Sequence, residues 1–126
     1  HNLARFESQG GYLSAAIQNT FDIIKPGGVV GIVHHQARDQ MPEEWADGSK
    51  GYLKKSFVIN LMRKAGFELI GESDINQNPK DQPNIEDVVW RLPPNLTTSK
   101  DNDELGKSME LIGESNRMTL KFKKPV

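Results

Sequence analysis

Two adjacent histidines, His34 and His35, close a short apolar run, Val29-Val30-Gly31-Ile32-Val33. A neutral imidazole beside a bound substrate can accept a proton from an attacking nucleophile, which makes both residues candidates for catalysis. Neighbouring strand residues point to opposite faces, so the bland alternative has one histidine on the core edge and the other in water. His1, His34 and His35 lack a suitably spaced carboxylate, and no metal site is expected. With no cysteine in the chain, thiolate nucleophiles, Cys-ligated zinc and disulfides are excluded. No serine–histidine–acid spacing points to hydrolysis.

Polar side chains that could hold a substrate are Arg38, Tyr52, Asn78, Arg91 and Arg117. Each has a plainer reading beside it. Trp90-Arg91 is either a substrate clamp or a packing anchor with a solvated guanidinium. Asn78-Pro79-Lys80-Asp81 either closes over a substrate or forms an ordinary turn. Glu114-Ser115-Asn116-Arg117 either lines a pocket or only enters the last strand.

Positioning these residues falls to a few elements. Leu13, Ile17, Phe21 and Ile24 recur at helical spacing, predicting an amphipathic helix over residues 10–24 that Lys25-Pro26-Gly27-Gly28 stops. The run that follows predicts a strand over 28–34, buried on both faces as in a parallel sheet. Residues 36–50 read as a loop, and Ser49 as the N-cap of a helix over 51–65 striped by Leu53, Phe57, Leu61 and Ala65. Gly66 ends that helix, and a second strand begins at Phe67 and fades near Ser73. The long polar stretch 74–116 calls for local structure of its own: a short helix around 101–111, and an anchor of Val88, Val89, Trp90 and Leu92. Met118, Leu120 and Phe122 alternate with Thr119, Lys121 and Lys123, the pattern of a half-buried antiparallel strand, peripheral by this pattern alone. Lys121, Lys123 and Lys124 read as a solvated strand edge.

Size and charge bound the rest. The chain has 126 residues, enough for one domain, and 36% are hydrophobic. Sixteen Lys and Arg against 17 Asp and Glu leave a formal charge of −1, which argues against a nucleic-acid or membrane-surface partner. No apolar run approaches the length of a membrane span.

A helix, Lys25-Pro26-Gly27-Gly28, an apolar strand, then a helix ending Ala65-Gly66-Phe67 into another strand resembles the second half of a class I S-adenosylmethionine-dependent methyltransferase. The strings GYLKKSFV, NPKD, VVWRLPP and IGESNRMTLKFKKP are similar to a branch of predicted bacterial methyltransferases, and the similarity covers nearly the whole chain. The resemblance implies an α/β fold: the C-terminal part of a Rossmann-like sheet, with three main strands near 28–34, 67–73 and 117–124. The last of these is antiparallel and inserted between the other two. It further implies that residues 1–126 are a single partial domain, that the whole protein transfers a methyl group from S-adenosylmethionine to an unknown small-molecule acceptor, and that His1 and Asn2, by position only, lie near the cofactor. The family's glycine-rich loop and ribose-binding carboxylate have no counterpart in these 126 residues, so the isolated chain is expected to be inactive and to bind no cofactor. The alternative is a non-catalytic fragment or binding module completed by another chain. Either way, the uncharged 29–33 edge implies a homodimer or pairing with an N-terminal half. Cytoplasm and periplasm both stay open as compartments.

Overall fold

A computed structural model describes residues 1–126. Two single-turn helices, α1 (Asn2–Arg5) and α2 (Glu7–Gly10), lead into α3 (Tyr12–Ile23). Then follow β1 (Val29–Ala37), β2 (Leu53–Lys54), α4 (Lys55–Ala65) and β3 (Glu68–Ser73). A 3₁₀ turn at Val89–Arg91, α5 (Asp103–Ile112) and β4 (Arg117–Lys123) complete the chain. The strands form one mixed sheet of four in the order β2-β1-β4-β3. β4 runs antiparallel to both β1 and β3, while β2 adds in parallel at Gln36 and Ala37. The insertion of the last strand between the other two is therefore as expected. Its half-buried alternation also holds: Met118, Leu120 and Phe122 are buried. β4 is central rather than peripheral, and Lys124 does not sit in a solvated edge. Its Nζ donates to the Phe21 carbonyl at 2.6 Å and lies 4.4 Å from the centre of the Phe21 ring.

One face of the sheet holds the main core. Val58, Met62, Phe67, Met118, Leu120 and Phe122 are buried there, and Leu13, Ile17, Phe21 and Ile24 of the α3 region pack onto them. Phe21 meets Phe67 edge to face at 5.0 Å. Gly66 makes this approach possible. Its φ of +111° suits glycine alone, and a Cβ there would come within 2.8 Å of the Phe21 ring.

Three sequence expectations need correction. The helix over 51–65 starts four residues later, at Lys55, because Leu53 and Lys54 pair with the end of β1. Lys54 takes the N-cap position, and Ser49 belongs to the preceding turn. The expected 36–50 loop likewise begins only after Ala37, since β1 runs on through Gln36 and Ala37. β1 is also not buried on both faces: Val29 and Val33 are 54% and 53% exposed. The helix expected near 101–111 is present at 103–112, capped where Asn102 Oδ1 accepts the Leu105 N–H at 3.0 Å. No helix is long and apolar enough to cross a membrane.

Candidate functional site

At the carboxyl end of β1 the pleat separates the two histidines. His34 shares its face with Val30 and Ile32, and His35 shares the other with Val29 and Val33. Neither is solvated in the simple way the alternative reading supposed; both are partly buried. His34 Nδ1 lies 2.9 Å from the His35 carbonyl oxygen, which can only accept, so Nδ1 carries the proton. Nε2 is then the lone-pair side and accepts from the main-chain nitrogen of His1 at 2.9 Å. Burial accordingly pushes the His34 pKa down to about 4.

His35 is the histidine that meets open space. Its Nδ1 lies 2.5 Å from Ser115 Oγ. Nε2 has no partner within the chain and is not sealed from solvent. Burial, and after it the nearby Arg117 charge, lowers its pKa, which keeps the ring neutral at pH 7. It lines a cleft of about 130 Å³ with Trp90, Pro94, Glu114, Ser115 and Arg117. The edge of Trp90 also packs against the His1 ring, 5.4 Å between centroids.

The remaining sequence candidates divide. Arg117 is at the cleft, with its guanidinium 3.0 Å from Glu114. Arg91, expected to have a solvated guanidinium or to clamp a substrate, is only 4% exposed and does neither. It donates to Asp81 Oδ1 at 2.7 Å and to Tyr52 Oη at 2.9 Å. Tyr52 is fully buried and donates to Asp81 Oδ2 at 2.9 Å; burial raises its pKa, so the phenol stays a donor. Both lie buried, and neither is among the residues that line the cleft. Asn78 spends both side-chain hydrogens on the carbonyls of Ile112 and Glu114, each at 2.7 Å, and so pins the end of α5. Arg38 turns away to the Pro83 carbonyl. Asn2 is exposed on α1, while His1 packs beside both strand histidines and Trp90. No three His, Cys, Asp or Glu side chains converge as a metal centre requires.

Two functional side chains were visible in the sequence only as members of strings. Asp81 anchors the interior network, and Ser115 touches His35 from 80 residues away. The one local signal was their place in NPKD and in the turn before β4.

No protein-family model matches this chain, and no curated protein matches it. The solved structure of the [4+2]-cyclase SpnF does match, with a TM-score of 0.56 and 18% identity. The match covers 92% of this chain and 45% of SpnF, so the chain spans about half the length of that structure. At this identity the likeness establishes the fold alone: an α/β unit with a four-stranded mixed sheet and flanking helices, resembling part of the SpnF fold.

Proposed function

We propose that this chain is the C-terminal half of a class I methyltransferase domain, and that a small-molecule acceptor lies in the cleft beside Trp90. The observation that carries the reading is His35. It sits at the carboxyl end of a strand in an α/β sheet, where such folds bind ligands, and it lines the cleft. Its lowered pKa keeps the imidazole neutral, so one ring nitrogen holds a lone pair able to accept the proton released by an oxygen, nitrogen or carbon nucleophile. Trp90 supplies an apolar wall, and the Arg117–Glu114 pair a polar end.

S-adenosylmethionine, if bound by the whole protein, supplies the methyl group. The residues present do not fit it by themselves. The one Gly-Gly turn near the sheet, Gly27-Gly28, is at the amino end of β1, opposite the cleft, and His1 and Asn2 offer no carboxylate for a ribose. The 126-residue chain is accordingly expected to give no saturable heat on calorimetric titration with sub-millimolar S-adenosylmethionine. Tight stoichiometric binding would mean that the cofactor site is misplaced. The reading also demands a glycine-rich turn and an acidic ribose ligand upstream in the same reading frame. In a methyl-transfer assay on the protein carrying that segment, His35→Ala should lower turnover by about 10²–10⁴-fold with little change in the unfolding midpoint. Wild-type turnover in that variant would make the histidine structural.

A second reading, a binding module completed by another chain, is favoured by the open side of β1. Gly28 C=O and Gln36 N–H both bond toward the β4 side, at Lys124 and Asn116. By antiparallel alternation the main-chain groups of Val29, Gly31 and Val33 point to the other edge. That edge carries no charge and no proline to protect it, and Val29 and Val33 expose an apolar face beside it. Pairing with a second copy or with an N-terminal half would satisfy both. Light scattering over the micromolar range checks the first: dimer is expected, and a strict 14.1 kDa monomer excludes it.

A further inference from the structure

The residues that line the cleft beside His35 come in two sets. The first is the stretch 89–95. Val89 and Leu92 are buried, Trp90 and Pro93 half-buried, and Pro94 exposed. Ahead of Asn95, every side chain that this stretch brings to the cleft is apolar or aromatic. The stretch is held from both ends. The Val89 N–H donates to the Lys50 carbonyl at 2.9 Å. The Trp90 carbonyl accepts the Thr97 N–H at 2.9 Å and the Thr97 hydroxyl at 3.0 Å.

The second set is polar. His35 of β1 and Arg117 of β4 are register partners, so their side chains stand next to one another on one face of the sheet. Ser115 Oγ lies 2.5 Å from His35 Nδ1, and Glu114 pairs with the Arg117 guanidinium at 3.0 Å. This set carries no net charge: the two ionic groups cancel, and burial keeps the imidazole neutral at pH 7. In either tautomer of His35, the His35–Ser115 pair keeps one spare hydrogen to donate and one lone pair to accept. A ligand group that both donates and accepts suits both tautomers, and a hydroxyl is such a group. A carboxylate only accepts and an ammonium only donates, and each brings a charge that nothing here balances.

The volume of about 130 Å³ is close to the roughly 150 Å³ of an engineered protein cavity that holds one benzene ring. An aromatic ring against Trp90 gains an offset-stacked or edge contact that a saturated ring of the same area lacks. We propose that this cleft takes a neutral single-ring arene bearing a hydroxyl group, with the ring against Trp90 and the hydroxyl at the His35–Ser115 pair. This rests on the reading of the cleft as the acceptor site and names the acceptor's chemical class.

The test is an NMR titration of the ¹⁵N-labelled 126-residue chain at pH 7 with phenol, cyclohexanol, benzoate and 2-naphthol, a readout independent of methyl transfer. Phenol is expected to move the Trp90 indole and the Ser115 and Arg117 amides saturably at about millimolar concentration, the affinity that so few heavy atoms allow. Cyclohexanol should bind about fivefold more weakly for want of the aromatic contact. Benzoate should also bind more weakly than phenol, its charge being unmatched, and 2-naphthol no more tightly, its second ring having no room. Glu114→Gln, at a side chain 69% exposed, should bring benzoate ahead of phenol, because Arg117 is then unbalanced. Trp90→Leu should weaken phenol about fivefold and leave cyclohexanol unchanged; where it fails to fold, the ligand series and Glu114→Gln still decide. Benzoate equal to phenol on wild type overturns the neutral hydroxyl, cyclohexanol equal to phenol the aromatic ring, and a tenfold gain for 2-naphthol the single ring. No shift at the cleft from any of the four overturns the cleft as an acceptor site as well. Saturable phenol binding there, in a whole protein that transfers no methyl group to any phenol, would instead sink the methyltransferase reading and leave the ligand class intact.

Discussion

Replacing Arg91 with methionine is expected to cost about 3–5 kcal/mol of stability, the scale set by removing one partner of a buried ion pair. The side chains of Arg91 and Asp81 are 5% and 0% exposed, and 2.7 Å separates their charged atoms. Methionine fills much of the volume but leaves the carboxylate facing only the Tyr52 hydroxyl and the Asn116 N–H. Two neutral donors do not offset the desolvation of a full charge. Against the roughly 5–15 kcal/mol that holds a domain folded, such a loss is a large share. The damage should centre on residues 74–116, which this network ties to Tyr52 at the entrance of β2 and to Asn116 at the entrance of β4. Adding Asp81→Asn removes the stranded charge, so the double variant should regain most of the loss. Urea midpoints for the two singles and the double give the coupling directly. An Arg91→Met variant within about 1 kcal/mol of wild type would contradict this account, because a single exposed ion pair is worth no more than that.

Why the sheet was legible in the residues and the interior network was not comes down to range. Lys25-Pro26-Gly27-Gly28 and Ala65-Gly66-Phe67 mark ends of elements through backbone geometry that a few neighbouring residues determine. The Val29–Val33 run and the 118–122 alternation carry their own periods. Leu53-Lys54 has no such signature: two residues make no pattern, and only the partner strand, at Gln36 and Ala37, makes them a strand. The Leu53-Phe57-Leu61-Ala65 stripe was real as an apolar face, but Leu53 joins the same core from a strand. Val29 and Val33 misled in the opposite direction, since a run of β-branched residues reports what a strand could bury, not what this chain puts on it. At the site, the place of His35 followed from where a strand ends. Tyr52, Asp81 and Arg91 meet across separations of 29 and 39 residues, and no local spacing announces such a meeting. Asn78 joins the loop to the end of α5 through both its amide hydrogens, a pairing across 34 and 36 residues that its own loop does not announce.

Acid should destabilise the fold through His34 by about 3 kcal/mol between neutral pH and pH 4, more than its two hydrogen bonds alone would suggest. Burial holds its folded-state pKa at about 4, whereas an unfolded histidine titrates near 6.5. The sign follows from which state takes the proton. As pH falls through about 6.5 the unfolded chain binds it and the native chain refuses, so stability is lost progressively. Near pH 4 the native ring protonates as well, and the loss levels off. Above about pH 7 both states are neutral and the effect vanishes. The refusal has a geometric cause beside burial: a proton on Nε2 would point at the His1 main-chain nitrogen, another donor, and this outweighs, together with burial, the Nδ1–H bond to the His35 carbonyl, which acts the other way. His35, lowered by burial too, adds to the slope in the same direction. Urea midpoints across this range should fall steeply for wild type and less steeply for His34→Gln, whose amide cannot titrate. The variant will start from a lower stability at pH 7, having lost packing, so the comparison lies in the slopes and not in the absolute values. Equal slopes in the two proteins would show that His34 is already protonated, or freely solvated, in the native state, and that the acid response belongs to the carboxylates instead.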